Sequence, residues 1–281
     1  MCRLLAYLGQ PILLEDIIIK PVNSLVSQSL HARESTIPTN GDGFGLGWYD
    51  QAINTYPGLF TSIFPAWNDR NFLNLSAKIK SSCFFAHIRA ASYGSVNNYN
   101  CHPFVNQEWM LMHNGQIDDF ITIKRHLRRL LDDDLYQWIA GETDSEHLFA
   151  LFLQLAKNQD LTNLHTCLSI LQETFAVIDA LLAQYVGRNN SSFNIILTDG
   201  ARLIATRYSA NHHLQPESLH YMTATNFQAL NSIEPEKHNK KHQSVLIASE
   251  KLTDFANEWS IVPKNHALLV DHDHIIQFIA L

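Results

Sequence analysis

The order of strand and helix signals constrains the fold of this chain most strongly. Apolar segments typical of buried strands lie near both ends, and helical segments with amphipathic spacing are grouped between them. Strands are predicted over Arg3–Leu8, Gly43–Tyr49, Ser81–Ile88, Trp109–Met112, Asn194–Leu197, Leu203–Thr206, His220–Thr223, Ser244–Ile247, Ala267–Val270 and Ile275–Ile279. Helices are predicted over Asn23–Arg33, Ile121–Leu131, Ser145–Lys157 and Leu161–Val186. This grouping favours a layered α+β architecture over an alternating parallel βαβ sheet.

A glycine-rich segment, Gly41-Asp42-Gly43-Phe44-Gly45-Leu46-Gly47, invites comparison with a nucleotide-binding loop. The G-x-G-x-x-G pattern fails, because Trp48 occupies the final glycine position counted from Gly43 and the segment continues as a strand. Glycines inside a strand indicate close approach of a ligand or of another chain segment. The sequence leaves open whether they form the floor of a site or simply allow sheet packing.

Charge and composition exclude several classes of protein. The net charge is -7, and no stripe dense in lysine and arginine is present, which argues against a general nucleic-acid binder. The basic run Lys124–Arg129 precedes three aspartates and is typical of a solvated helix face. No run approaches the roughly 18 uninterrupted apolar residues that a membrane span needs, and Gly9 and Pro11 interrupt both the first strand and any signal-peptide core. Four cysteines without a C-x-x-C pair predict no disulfide framework and a cytoplasmic location.

Cys2 follows the initiator methionine directly. Removal of Met1 would place a thiol and a free α-amine on one residue, and such an amine, with a pKa of roughly 7.7–8.0, can act as general base for its own side chain. A thiolate is a good nucleophile. Taken alone, Cys2 is as readily explained as the start of an apolar strand.

Three further short motifs contain residues suited to chemistry. Arg89 follows a predicted strand and can bind a carboxylate through two parallel hydrogen bonds, although an ordinary ion pair is an equal alternative. The Asn114 amide and the Gly115 N–H can stabilise an oxyanion, although Asn-Gly is also a common turn. Thr143 and Glu146 form the sequence pattern of a capping box, and Asp144 between them either favours the helix N-terminus or binds an ammonium group.

Histidines elsewhere raise the question of a metal. His212, His213, His238, His242 and the run Asp271–His274 lack the spacing of a known metal motif on a regular element. The run lies between two predicted strands and is interpreted as a hairpin turn. We therefore expect neither a metal nor another cofactor.

In combination, these motifs resemble the glutaminase domain of the class II glutamine amidotransferases, which are N-terminal-nucleophile hydrolases. The resemblance extends to longer segments, namely Met1–Gly9, Asn40–Tyr49, Pro65-Ala66-Trp67, Asn100–Phe104 and Glu142–Glu146. These segments are similar to the stand-alone branch that includes the ergothioneine-pathway γ-glutamyl hydrolase and glutathione-degrading amidotransferase-like proteins. The similarity is dense to about Leu155 and weaker beyond, where Ile247-Ala248-Ser249-Glu250 echoes it.

The resemblance implies a role for each matching residue. Cys2 would be the nucleophile, and Asn114 with Gly115 would stabilise the oxyanion. Arg89 would bind the α-carboxylate of the substrate and Asp144 its α-ammonium. Ser92 and His113 would also belong to the substrate-binding site. Ser92, Ala90 and Tyr93 depart from the residues usual in the larger amidotransferases, which puts the ordinary glutamine-pocket walls in doubt.

The resemblance also implies the fold and the reaction. We expect one domain over residues 1–281, with its catalytic motifs within 2–146, folded as the four-layer αββα sandwich of N-terminal-nucleophile hydrolases. The expected reaction is hydrolysis of a γ-glutamyl amide through a thioester on Cys2. Ammonia or the glutamyl group would be released or passed to a separate acceptor or synthase protein. The alternative is a non-catalytic module that binds γ-glutamyl ligands and regulates a partner.

Overall fold

The first strand lies at the centre of a sheet that also contains strands from the C-terminal part. The computed structural model describes residues 2–34, 39–91, 94–224, 243–254 and 258–281. Strand β1 (Arg3–Leu13) pairs antiparallel with β4 (Lys80–Ile88) on one side and with β10 (Ser244–Ala248) on the other. The strand groups at the two ends of the chain therefore meet in one sheet.

Within the described residues, two antiparallel sheets form. In the first sheet, six strands join β1, namely β2 (Phe44–Trp48), β3 (Gly58–Ser62), β4 (Lys80–Ile88), β9 (His220–Ala224), β10 (Ser244–Ala248) and β11 (Ser260–Ile261). The order of these seven strands is β11-β9-β10-β1-β4-β2-β3. The second has six in the order β13-β12-β8-β7-β6-β5, made of β5 (Phe104–Asn106), β6 (Trp109–Gln116), β7 (Ser192–Thr198), β8 (Leu203–Ser209), β12 (His266–Val270) and β13 (Ile276–Ala280).

Helices cover the outer face of each sheet. The first sheet packs against α1 (Glu15–Ile18), α2 (Leu25–Leu30) and α3 (Arg70–Ser76). The second packs against α4 (Phe120–Arg128), α6 (Asp144–Ala156) and α7 (Leu164–Tyr185), while α5 (Asp133–Trp138) lies beside α6. The helices are thus segregated into two outer layers.

Side-chain alternation along the strands divides the interior into three cores. On β1, Leu4 and Ala6 face the second sheet and pack in the same cluster as Met112, whereas Leu5 and Tyr7 face the outer helices. A strand buried on both faces needs apolar residues at successive positions, which explains the uninterrupted apolar run of β1. The structure is a four-layer αββα sandwich, and the fold expected from the resemblance is confirmed.

Helix α7 is long and apolar enough, by length and composition, to cross a membrane. Its apolar side, which includes Cys167, Leu171, Ile178 and Leu182, packs in the core between the second sheet and the neighbouring helices. A core helix of a soluble protein meets the same criterion, so this is weak evidence for a membrane span. The packing supports a soluble protein.

The first strand is longer than predicted. Gly9-Gln10-Pro11 was expected to end it at Leu8, but pairing with β4 resumes at Ile12 after an irregularity in register. A β-bulge accommodates extra residues without ending a strand. At Gly9, a Cβ would lie 2.0 Å from the Ser244 Oγ, so the glycine is required by close approach of the neighbouring strand.

Candidate active site

Cys2 lies immediately before β1, against the end of β4. Its Sγ is 3.4 Å from the Ala90 carbonyl oxygen and 3.3 Å from the Ala90 nitrogen, so the thiol can donate to one group and accept from the other. The pairing of Arg3 with Ile88 sets this position, because it brings the residues that follow β4 beside Cys2. The thiol is thereby held by main-chain groups of Ala90, in the segment that follows β4.

The surroundings of Cys2 hold its thiol in the neutral form. Burial raises the pKa of the Cys2 thiol, and the Ala90 hydrogen bond and the positive charge of Arg89 only partly offset this effect. A neutral thiol is a poor nucleophile, so chemistry at this residue requires a base close to the sulfur. Removal of Met1 would place an α-amine on the same residue, where it would meet that requirement.

Asn114 approaches Cys2 from the opposite sheet. It lies on β6, is 2% exposed, and its Nδ2 donates to the Cys2 carbonyl oxygen at 3.0 Å. An amide nitrogen carries two N–H groups, so one such bond leaves the second hydrogen for another acceptor. The bond links the two sheets at Cys2 and orients the Asn114 amide towards that residue.

Gly115 is a strand residue, which differs from the expected position after the strand. Strand β6 continues to Gln116 because β7 pairs with it throughout, with Asn114 opposite Asn194 and Gly115 opposite Phe193. The backbone φ of Gly115 is +153°, and a Cβ there would lie 2.1 Å from the Ser192 carbonyl oxygen. Glycine is therefore required at this position by close packing, and Asn-Gly does not form a turn.

Arg89 is almost fully buried directly after β4. Its guanidinium donates to the Ser95 carbonyl oxygen at 3.0 Å and to the Gly94 carbonyl oxygen at 3.4 Å. Ser95 is held in turn by Glu142, whose Oε2 accepts from the Ser95 N–H at 2.9 Å and from its hydroxyl at 2.8 Å. The loop that follows β4 thus fixes the orientation of the guanidinium plane.

Asp144 is the first residue of α6 and is also largely buried. Its Oδ2 accepts from the Ile117 N–H at 2.8 Å and its Oδ1 from the Ser145 N–H at 2.9 Å. The carboxylate is therefore held between the chain that follows β6 and the positive N-terminus of the helix. These bonds fix it close to the strand that carries Asn114.

The helix cap differs in one respect from the predicted capping box. Thr143 caps α6 as expected, since its Oγ1 accepts from the Glu146 N–H at 3.2 Å. The Glu146 carboxylate accepts instead from the Ala140 and Gly141 N–H groups, at 2.9 and 2.8 Å. Glu146 therefore anchors the turn before the helix rather than completing the reciprocal bond to Thr143.

His113 lies on the opposite face of β6 from Asn114, towards the helices. Its Nδ1 is 2.9 Å from the Ser145 Oγ and its Nε2 is 3.0 Å from the Ser192 carbonyl oxygen. Burial lowers the pKa of His113, which favours the neutral ring with Nε2–H as donor and Nδ1 as acceptor. Both ring nitrogens are engaged within the protein, an arrangement that supports a positioning role instead of the substrate contact implied by the resemblance.

Ser92 and Tyr93 lie outside the described residues.

The glycines of β2 allow close approach of another chain segment. A Cβ at Gly45 would lie 2.0 Å from the His102 carbonyl oxygen, and one at Gly47 would lie 2.8 Å from Pro103 Cγ. The His102 ring packs against His87 of β4 in a tilted arrangement, with a centroid separation of 4.2 Å and an interplanar angle of 36°. Of the two alternatives left open by the sequence, the structure supports packing of a protein segment at these two glycines.

Two polar residues, Asp42 and Asn100, hold the loops around the site, although neither stands out in the sequence. Asp42 Oδ2 accepts from the Ala91 N–H at 2.8 Å, and the buried Asn100 donates to the Ser95 carbonyl oxygen at 2.8 Å. The same Asn100 side chain accepts from the Glu142 N–H at 2.8 Å. Both residues lie within the motifs that carry the resemblance, but no periodicity or spacing reveals these contacts.

The histidines considered for a metal do not assemble into a site within the described ranges. There, no group of three His, Cys, Asp or Glu side chains lies close enough to hold a metal ion. Asp271–His274 forms the turn between β12 and β13, in which the His274 N–H donates to the Asp271 carbonyl oxygen at 3.0 Å. His238 and His242 lie outside the described residues.

The chain is similar to known proteins over nearly its full length. The family described as "Glutamine amidotransferases class-II" matches residues 1–279. The Saccharomyces cerevisiae protein named "Probable glutamine amidotransferase DUG3" is 33% identical over 297 residues, covering 98% of this chain and 83% of that protein. The "Gamma-glutamyl-hercynylcysteine sulfoxide hydrolase" of Mycolicibacterium smegmatis is 26% identical and covers 98% of each chain.

Solved structures agree with this relationship. A glutamine aminotransferase class-II domain protein from Silicibacter pomeroyi has a TM-score of 0.71 at 25% identity, covering 100% of this chain and 98% of that one. The glutamine phosphoribosylpyrophosphate amidotransferase of B. subtilis matches at a TM-score of 0.64 and 12% identity, covering 99% of this chain and 49% of that one, which shows a shared fold. The chain belongs to the class II glutamine amidotransferases, and it is an enzyme of the N-terminal-nucleophile hydrolase type.

Proposed function

We propose that this protein hydrolyses a γ-glutamyl amide through a glutamyl thioester on Cys2. The observation that carries the proposal is the contact across the two sheets, where the Asn114 amide donates to the Cys2 carbonyl oxygen at 3.0 Å. It brings a nucleophile and an oxyanion donor from separate sheets to one point. The names of the relatives, a glutamine amidotransferase and a γ-glutamyl hydrolase, support the same reaction class.

The first half of the reaction forms the thioester. After Met1 is removed, the Cys2 α-amine accepts the thiol proton through a water molecule, and the thiolate attacks the γ-carbonyl carbon. The carbonyl oxygen becomes an oxyanion, which the Asn114 Nδ2–H and the Gly115 N–H stabilise. When the tetrahedral intermediate collapses, the C–N bond breaks and the protonated α-amine of Cys2 gives its proton to the leaving amine.

The second half regenerates the enzyme. The α-amine accepts a proton from water, and the resulting hydroxide attacks the thioester carbon. The C–S bond then breaks, glutamate leaves, and the Cys2 thiolate recovers a proton from the protonated α-amine of the same residue. Arg89 binds the α-carboxylate and Asp144 the α-ammonium throughout, so both hold the glutamyl end while the γ-carbon reacts.

The partial burial of Cys2 fits this use of the α-amine. Burial raises the pKa of the thiol, so few molecules carry a thiolate at neutral pH in the absence of a base. An internal base can form the thiolate at the moment of attack, so the thiol need not be ionised beforehand. The opposite arrangement, a permanently ionised cysteine, would need a positive environment that outweighs desolvation.

The proposed unit is a single domain that acts without a separate synthase chain. Its central strand β1 pairs with strands from both ends of the sequence, so the residues after Phe193 complete the sheet that carries Cys2. Transfer of ammonia or a glutamyl group to a separate acceptor protein is the alternative fate of the products. All four cysteines are free, which supports a reducing compartment such as the cytoplasm.

Two measurements test the function. Intact-mass analysis should show loss of Met1 and one covalent adduct after exposure to a diazoketone analogue of glutamine, with the adduct on Cys2. Purified protein alone should release the amine from γ-glutamyl amides, and a panel of leaving groups should define its preference. Retention of Met1 in active protein would exclude the α-amine as base. A non-catalytic binder would form no adduct, and the comparisons give that alternative no support.

A further inference from the structure

The nucleophile lies at the very end of a strand, so its position depends on what anchors that end. Once Met1 is removed, Cys2 has a single covalent neighbour, Arg3, which is the first residue of β1. Successive side chains of a strand point to opposite faces, so the Arg3 side chain points away from the face occupied by Cys2. Whatever fixes Arg3 therefore acts on the nucleophile without contacting the substrate.

Arg3 forms a buried ion pair with Glu250. The Arg3 Nη1 lies 2.7 Å from the Glu250 Oε1, and each side chain is only 1% exposed. The two residues are 247 positions apart, and Glu250 follows strand β10, which pairs with β1. The pair thus ties the beginning of the central strand to the C-terminal part of the sheet.

Glu250 also binds a third segment. Its Oε2 accepts from the Arg33 N–H at 2.9 Å and its Oε1 from the Glu34 N–H at 2.9 Å. These donors belong to the chain that follows α2, so one carboxylate joins its own segment to two others. With three donors on two oxygens, its position is tightly determined.

The residue before Glu250 binds the main chain next to Arg3. The Ser249 N–H donates to the Leu4 carbonyl oxygen at 3.0 Å, and the Ser249 Oγ accepts from the Leu4 N–H at 3.2 Å. Ser249 therefore holds the backbone of Leu4, and Glu250 holds the side chain of Arg3. These are the two residues that follow Cys2.

We propose that the Arg3–Glu250 ion pair is a positioning device for the nucleophile. It holds the end of β1 so that the Cys2 thiol stays against Ala90 and the Cys2 carbonyl stays against Asn114. The inference rests on the proposed function, because it assumes that Cys2 is the reacting residue. A buried ion pair is weak evidence for stability, since apolar residues of similar volume often serve the fold equally well. Its directional bonds do, however, fix geometry, which a catalytic terminus requires.

The test separates positioning from folding. Arg3→Met, Glu250→Met and the Arg3→Met/Glu250→Met double variant are compared with wild type by thermal unfolding, by kcat and KM, and by the alkylation rate of Cys2 with iodoacetamide. Arg202→Met is the matched control, because Arg202 also forms a largely buried ion pair, with Asp199, at a place that anchors a different loop. Activities are normalised to the fraction that lacks Met1, measured by intact mass.

Either single variant leaves one buried charge without its partner, so both should unfold at lower temperature. The double variant should recover most of the unfolding temperature but not the activity. We expect its kcat to remain at least tenfold below wild type with KM within threefold, and its Cys2 to be alkylated at least threefold faster. Arg202→Met should change neither kcat nor alkylation by more than threefold.

Recovery of both stability and kcat in the double variant would overturn the proposal, as would an unchanged alkylation rate. If the single variants fail to fold, the double variant still decides the question. Alkylation needs no substrate, so a wild-type protein without γ-glutamyl hydrolase activity would refute the proposed function and leave the positioning test readable.

Discussion

Replacement of Asn114 by alanine separates the structural hydrogen bond of its amide from its proposed role in stabilising the oxyanion. In the structure the Nδ2 donates to the Cys2 carbonyl oxygen at 3.0 Å, and the side chain is buried. Loss of that neutral hydrogen bond should lower the free energy of unfolding by about 0.5–1.5 kcal/mol. Loss of an oxyanion donor costs much more, about 2.7–4 kcal/mol in the transition state. The second figure corresponds to a fall of roughly 10²–10³-fold in kcat.

The expected result is therefore a folded protein with a slow chemical step. Steady-state release of amine from a γ-glutamyl amide should show kcat lowered by roughly 10²-fold or more, with KM nearly unchanged. Thermal unfolding measured on the same preparation should show only the small loss of stability. Burst kinetics would show slower acylation of Cys2.

Asn194 offers a matched control on the neighbouring strand. It lies opposite Asn114, is equally buried, and donates one side-chain bond of 3.0 Å to the Glu217 carbonyl oxygen. Asn194→Ala should lose similar stability but keep kcat within threefold. The assignment of Asn114 would be refuted by a change confined to KM, or by equal losses of kcat in the two variants.

Three further predictions concern the proposed nucleophile, the proposed substrate contacts and a buried histidine. Cys2→Ala should abolish turnover while ligand binding and thermal unfolding stay near wild type; residual turnover within tenfold would exclude the thioester. Arg89→Ala and Asp144→Ala should raise KM strongly, and a substrate whose α-carboxylate is an amide should reproduce the first effect; equal reaction of acid and amide would contradict it. Burial lowers the pKa of His87 to about 3, whereas an unfolded histidine has a pKa of about 6.5, so the unfolded state binds more protons between these values. Stability should therefore fall as the pH is lowered through that window, and His87→Leu should weaken this dependence of the unfolding temperature; an unchanged dependence would argue against a neutral His87.

Strands with strong alternation or continuous apolar runs could be predicted from the sequence. Strand β4 was expected over Ser81–Ile88 and spans Lys80–Ile88, and β12 was expected over Ala267–Val270 and spans His266–Val270. Each lies between two other strands of its sheet, and most of its residues are buried. Short elements such as α1 and β11 gave no usable periodicity, because four or two residues cannot show one.

Local turn signals misled where tertiary pairing overrides them. Gly9-Gln10-Pro11 has the composition of a turn, yet β1 continues beyond it because β4 still offers partners at Ser81 and Lys80. Asn114-Gly115 also has turn composition, yet β7 pairs with both residues. A dipeptide reports what its backbone can adopt, whereas the partner strand decides which of those conformations is used.

The residues of the candidate site could be listed from the sequence, but their mutual contacts could not. Asn114 reaches Cys2 because two sheets stack, and Glu250 reaches Arg3 because β10 pairs with β1. Neither relation leaves a trace in local spacing, since the partners are 112 and 247 positions apart. The two contacts are nevertheless related by the two-residue period of a strand, because this period directs Cys2 towards the second sheet and Arg3 to the opposite face. In the proposed mechanism, one strand end therefore presents the nucleophile Cys2 on one face, while the Arg3–Glu250 ion pair on the other face anchors that end.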